Sequence, residues 1–186
     1  MKRKCGFLVL LLITMSGGCT SQATSTMQTV DFVDINRFMG DWFVIAHIPT
    51  FFEKDAFNAV ERYEMNADGT IATTFIYRSG SAQGPEKEMD AKGFITEPAS
   101  NAVWGMQFIW PIKADYRIVY LDEDYSVTMI GRAKRDYLWI MARAPELAPA
   151  RLEELIGLAE KLGYDRKSIR LVPQVHNSQV QEAVAG

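Results

Sequence analysis

Gly40-Asp41-Trp42-Phe43-Val44-Ile45-Ala46-His47-Ile48-Pro49 reads as a strand entered through a tight glycine turn and followed by a loop. Trp42 to Ile48 is the first of eight short runs rich in β-branched and aromatic residues. Ala59 to Met65 and Thr70 to Tyr77 follow, divided by the turn Asn66-Ala67-Asp68-Gly69. Glu88 to Thr96 and Val103 to Trp110 come next, with Gly93 and Gly105 inside them as expected bends or bulges. Tyr116 to Leu121, Ser126 to Gly131 and Tyr137 to Arg143 complete the series. Connections this short favour antiparallel neighbours joined in sequence order. The expected fold is all-β: an eight-stranded antiparallel up-and-down barrel, closed so that no edge is left and wide enough for one small ligand.

The alternation within the runs predicts which residues share a face. Ala59, Glu61, Tyr63 and Met65 fall on one side of the second run, and Tyr116, Ile118 and Tyr120 on one side of the sixth. The last run is apolar on both sides, so one face lines the interior and something covers the other. That cover is a C-terminal α-helix packed outside the barrel. It opens at Pro149, repeats Leu152, Leu155, Ile156, Ala159 and Leu162 at helical spacing, and is capped by Gly163. Ser168 to Val172 reads as a short further strand, giving a domain over residues 31–173 and a flexible tail over 174–186.

Outside this domain the informative feature is the start of the chain. Met1-Lys2-Arg3-Lys4 is basic, Phe7 to Ile13 is an uninterrupted apolar run, and Ser16-Gly17-Gly18-Cys19 places small residues before a thiol. The run is too short to span a bilayer, so residues 1–18 read as an export signal. Acylation of Cys19 would make the product a membrane-anchored lipoprotein, with residues 19–30 as an uncharged tether. An ordinary signal cut nearby is the alternative, and it leaves a lone thiol in an oxidising compartment. Cys5 leaves with the signal, so no intrachain disulfide is expected. Losing Lys2, Arg3 and Lys4 moves the net charge from -3 to -6, which argues against nucleic acid as a partner.

With these features in place the chain resembles the lipocalins, and within them the bacterial outer-membrane lipoprotein branch. Gly40-Asp41-Trp42 matches the family's Gly-x-Trp. Ala114-Asp115-Tyr116 resembles the Thr-Asp-Tyr that surrounds the loop before a late strand, and Arg143 matches the arginine that ends the last barrel strand. Ser16 to Cys19 resembles a lipobox with Ser16 in the usual leucine position. Thr20, in place of the aspartate that retains such proteins in the inner membrane, is compatible with outer-membrane delivery. The resemblance implies a non-enzymatic carrier on the periplasmic face of the outer membrane, binding fatty acids or lysophospholipids. A porphyrin or isoprenoid carrier, or a structural protein with a filled core, stays open, as does a homodimer.

Gly40, Trp42, Asp115, Tyr116 and Arg143 are then expected at the closed base, with Arg143 stacked on Trp42. The loop after the first strand supplies candidates for an apolar lip in Phe51, Phe52 and Phe57, with Lys54 for an anionic head, unless the phenylalanines only pin the loop. Phe75, Tyr77, Met106, Phe108, Trp110, Tyr63 and Tyr116 are candidate cavity residues. Glu61 is expected either as a buried carboxyl beside the pocket or as a solvated group near its mouth. His47 and His176 are the two histidines, and neither stands in a metal-ligand or nucleophile pattern. No catalytic residue, metal or cofactor is expected.

Overall fold

The computed structural model describes residues 27–175; the export signal, Cys19, most of the tether, His176 and the tail beyond it lie outside the described residues. Eight strands form a closed antiparallel barrel: β1 (Gly40–Ile48), β2 (Ala56–Met65), β3 (Ile71–Ser79), β4 (Glu86–Ile95), β5 (Val103–Ile109), β6 (Ile112–Leu121), β7 (Val127–Gly131) and β8 (Leu138–Ala142). Each pairs with the next, and β1 closes the ring by pairing with both β2 and β8. A two-turn signal of apolar periodicity is absent from Ile35–Phe38, yet these residues form a short helix, α1, that Asp34 caps by accepting from the backbone of Asn36 and Arg37.

Closure depends on a bulge. Gly40 to Phe43 pairs with β2, and Phe43 to Ile48 pairs with β8 with a register shift between Val44 and Ala46. Beyond Phe43, therefore, β1 leaves β2, and a short strand, β9 (Arg170–Leu171), pairs with Ala46 and His47 in the vacated space. Gln174, placed in the tail by its sequence, donates to the carbonyls of Val44 (2.9 Å) and Ala59 (3.0 Å). The Val175 amide donates to Asn58 Oδ1. Backbone groups opened by the split are thus paired by the C-terminal segment.

The bulges fall where the backbone twists, not at the glycines expected to host them. Register shifts occur at Val44/Ala46, Phe57/Val60, Met106/Ile109 and Ile118/Tyr120, whereas Gly93 and Gly105 stand in regular pairs. Gly93 serves close packing, because a Cβ there would lie 3.2 Å from Met106 Sδ and 3.3 Å from the Ile71 Cβ. The Ile118/Tyr120 shift also corrects the predicted face of β6: Tyr116 and Ile118 point inward, while Tyr120 packs outside under the helix.

Helix α2 (Pro149–Lys161) starts on a proline and buries Leu155 and Ala159 against the outward residues Leu138, Ile140 and Ala142 of β8. Gly163, at φ 93°, turns the chain so that the Tyr164 amide reaches the Ala159 carbonyl. Arg151 clamps the helix to the barrel through Asp122 Oδ1 at 2.6 Å and the Tyr120 hydroxyl. The tether's last residues are also part of the domain: Met27 is buried, and the Val30 amide donates to the Ile118 carbonyl.

Candidate functional site

The base of the barrel is a plug of four aromatic rings. Phe38 of α1 contacts Trp42, Tyr63 and Trp104 at centroid distances of 5.1, 5.5 and 5.5 Å. Both indoles satisfy their N–H, Trp42 to the Phe38 carbonyl (2.8 Å) and Trp104 to that of Asn101 (2.7 Å). Arg143 lies over the Trp42 ring at 3.8 Å. Its two Nη atoms donate to the carbonyls of Asp41, Arg37, Phe38 and Met39, which include the end of α1. Gly40, at φ 93°, turns beneath this guanidinium.

Asp115 and Tyr116 do not belong to this base, which corrects the expected signature. They lie within β6, not in the loop before a late strand, because that loop is residues 122–126. There Glu123-Asp124-Tyr125 supplies the Asp-Tyr pair. The Tyr125 hydroxyl accepts from the Asp34 amide (2.8 Å), and Arg37 stacks on its ring at 4.0 Å. Asp115 instead accepts from Arg117 and from the Ala133 amide (2.7 Å) in the β7–β8 loop.

Above the plug is a cavity of about 520 Å³. Its deep end holds Tyr63 and Tyr116, whose hydroxyls are 2.8 Å apart, with Tyr116 stacked on Trp104. Phe75, Met89, Met106, Ile130 and Met141 supply apolar wall, and Phe51, Phe52, Glu53, Phe108, Ile109, Arg132, Tyr137 and Trp139 stand toward the loops. Of the sequence candidates, Phe51, Phe52, Glu61, Tyr63, Phe75, Met106, Phe108 and Tyr116 line this space. Lys54, Phe57, Tyr77 and Trp110 do not. Lys54 is exposed and lies over the Phe51 ring, Phe57 sits beside the bulge at Asn58, Tyr77 stacks on Phe75, and Trp110 stands 83% exposed beyond the end of β5.

Glu61, Thr73, Arg132 and Glu53 dominate the polar part of the lining, which also includes Asp90 and Asp115. Glu61 points inward from β2, and its Oε2 is buried without a hydrogen-bond partner. Burial, and then the charge of Glu53, push its carboxyl up to about 8. The surface it retains faces the cavity. Thr73 Oγ1, on the neighbouring strand, is also buried and unpartnered. Arg132, which the sequence reading passed over, places the one arginine of the cavity lining near the mouth, paired with Asp136 at 3.2 Å and with its Nε unpartnered. Glu53 is buried under the β1–β2 loop, accepting from the Thr50 amide and Trp139 Nε1, with His47 Nδ1 3.6 Å away. Among the described residues no group of His, Cys, Asp and Glu could hold a metal ion, and no helix is long and apolar enough to cross a membrane.

A family model described as a lipocalin-like domain matches residues 33–174. Temperature-induced lipocalin-1 of Arabidopsis thaliana is 29% identical over 157 residues, spanning 80% of this chain and 83% of that one. Outer membrane lipoprotein Blc of Vibrio cholerae is 25% identical over 170 residues, spanning 90% and 97%. Among solved structures, insecticyanin of the tobacco hornworm superposes with a TM-score of 0.62 at 13% identity, covering 82% of this chain and 86% of its own. Lobster apocrustacyanin A1 gives 0.60 at 11% identity, covering 81% and 86%. At such identity the likeness is one of fold.

Proposed function

The chain belongs to the lipocalin-like family, as a hydrophobic-ligand-binding member related to the bacterial Blc lipoproteins, and on that premise we propose that its cavity carries a fatty acid or lysophospholipid. The observation that carries this reading is a plugged, largely apolar space of about 520 Å³, within the usual range for small-ligand sites. An acyl chain lying along Phe75, Met89, Met106 and Met141 gains about 0.8 kcal/mol per buried methylene. Arg132, with an unused Nε–H near the mouth, meets the anionic head in the role the sequence gave to Lys54. The protein acts by binding, with no chemical step.

Kinship with the Blc lipoproteins supports an outer-membrane lipoprotein, and we propose that it is acylated at Cys19 and faces the periplasm. Titrating delipidated protein with oleic acid and with oleoyl-lysophosphatidylcholine, while following Trp139 and Trp104 emission, tests the reading. Saturable one-site binding of either supports it, and no binding to folded protein refutes it. A visible absorption band on the purified protein would instead favour a pigment carrier.

A further inference from the structure

We propose that Glu61, Thr73 and the Tyr63–Tyr116 hydroxyl pair form an inner polar subsite for an uncharged hydroxyl or carbonyl carried on the ligand's chain, remote from its head. The inference deepens the carrier reading and rests on it. A cavity meant only for a plain hydrocarbon chain gains nothing from polar atoms in its wall. Glu61 Oε2 and Thr73 Oγ1 are both buried and unpartnered, a costly arrangement unless something occupies the space between them. They stand on adjacent strands: Glu61 is opposite Phe75 and Thr73 opposite Tyr63, so the two side chains are diagonal neighbours on the inward face. The Tyr63–Tyr116 pair lies next to them, and one of its two hydroxyl protons is free once the mutual bond is made.

The subsite is matched to a neutral partner. Its own carboxyl is held largely protonated at neutral pH, so it donates as well as accepts. Both tyrosines are held protonated by burial. The cavity's arginine is Arg132, on the β7–β8 loop, placed for the head. Head and inner group together describe a hydroxy- or oxo-substituted fatty acid.

Calorimetric titration with matched acids tests this: decanoic against 10-hydroxydecanoic, and octadecanoic against 12-hydroxyoctadecanoic. Each pair shares its carboxylate, so Arg132 contributes equally within a pair. In wild type at least one hydroxy acid binds as tightly as its parent or more tightly, despite its better hydration. In Glu61→Leu/Thr73→Val that relative affinity falls about tenfold while the parent acid still binds. Glu61→Gln, a neutral donor and acceptor of the same shape, retains it. An unchanged ratio in the double variant overturns the subsite, with only water held there. Failure of wild type to bind any of the four acids overturns the carrier reading instead.

A different observation concerns the outside of the barrel. Phe51, Phe52, Phe108, Ile109, Trp110 and Ile112 are all more than half exposed, the first two on the β1–β2 loop and the other four at the tip of the β5–β6 hairpin, both at the mouth. Lys54 and Lys113 stand beside them. Followed upstream, the chain leaves the base at Asp34, passes Ile118 at Val30, and reaches Gly131, the mouthward end of β7, at Met27. From there the eight residue steps back to Cys19 reach at most ~28 Å. With Cys19 acylated, a mouth-down posture leaves this tether slack, while a base-down posture stretches it along the wall. We infer that the exposed rim sits in the interface of the anchoring bilayer, its lysines among anionic headgroups. Full-length acylated protein in phosphatidylethanolamine–phosphatidylglycerol vesicles with brominated acyl chains tests the posture. The emission that Trp110→Phe removes is expected to be strongly quenched in wild type; equal emission with and without bromine overturns the inference.

Discussion

Replacing Arg143 by alanine separates the base of the barrel from its cavity. The guanidinium makes four hydrogen bonds, to the carbonyls of Arg37, Phe38, Met39 and Asp41, at 2.7 to 3.0 Å. It is half-buried, so each bond is discounted for solvent screening to ~0.5–1 kcal/mol, below the range for a fully buried charged donor. Stacking on Trp42 at 3.8 Å adds ~0.5–1 kcal/mol. Water recovers part of this at the exposed side, which leaves a cost of ~3 kcal/mol, or a melting temperature lower by ~6–12 °C in a domain of this size. Arg143→Lys keeps the charge but loses the planar fork, and costs about half as much. Urea unfolding followed by tryptophan emission measures both, with an unchanged slope identifying a stability effect. Ligand affinity stays within about twofold, because the plug of Phe38, Trp42, Tyr63 and Trp104 separates the arginine from the cavity. A cost below ~1 kcal/mol, or lost binding at unchanged stability, refutes the reasoning.

Glu61 makes stability depend on pH. Its folded pKa, raised to about 8 from 4.5, makes its contribution greatest below pH 4.5 and lost as pH rises through 8. Glu53, Asp90, Asp115, Tyr63, Tyr116 and Arg132 share its surroundings, so the comparison is Glu61→Gln, which is expected to flatten the pH dependence of the unfolding free energy from urea titrations between pH 5 and 8.5, by a few kcal/mol at the upper end. Gly131→Ala is expected to cost ~1–3 kcal/mol, because the new Cβ would stand 2.6 Å from the Tyr164 hydroxyl that bonds the Arg132 amide. Thermal melting measures it. Arg151→Ala frees α2 from Asp122 and Tyr120, and faster amide exchange through Leu152 to Leu158 than in β8 reports the loosening.

The strands were legible because each pairs with its sequence neighbour, so local alternation and turn residues carry most of the topology. Gly40, Trp42 and Arg143 were legible for a similar reason: glycine, indole and guanidinium each do something at the base that few residues can replace. The bulges were not. Whether Tyr120 faces in or out depends on a register shift at Ile118/Tyr120 that follows from pairing with β7, not from β6 itself. The same limit explains why Phe57, next to a shift, misses the cavity while Phe75, in regular pairing, lines it. Asp115-Tyr116 drew attention because it imitates a motif whose place belongs to Asp124-Tyr125, and the mark of that place is a positive φ of 62° at Tyr125, invisible in sequence. Helix α1, at four residues, is too short for a period to register. Arg132 stood in a turn among other charges, and only the curvature of the barrel brings it to the mouth.

Native mass spectrometry of delipidated protein mixed with oleic acid or oleoyl-lysophosphatidylcholine tests most directly whether this cavity holds a single lipid. Wild type should carry one lipid per chain, and Ala114→Phe, which fills the cavity from the inward face of β6, should carry none while keeping its barrel spectrum. A folded wild type with no adduct, or an adduct that survives Ala114→Phe, would contradict it.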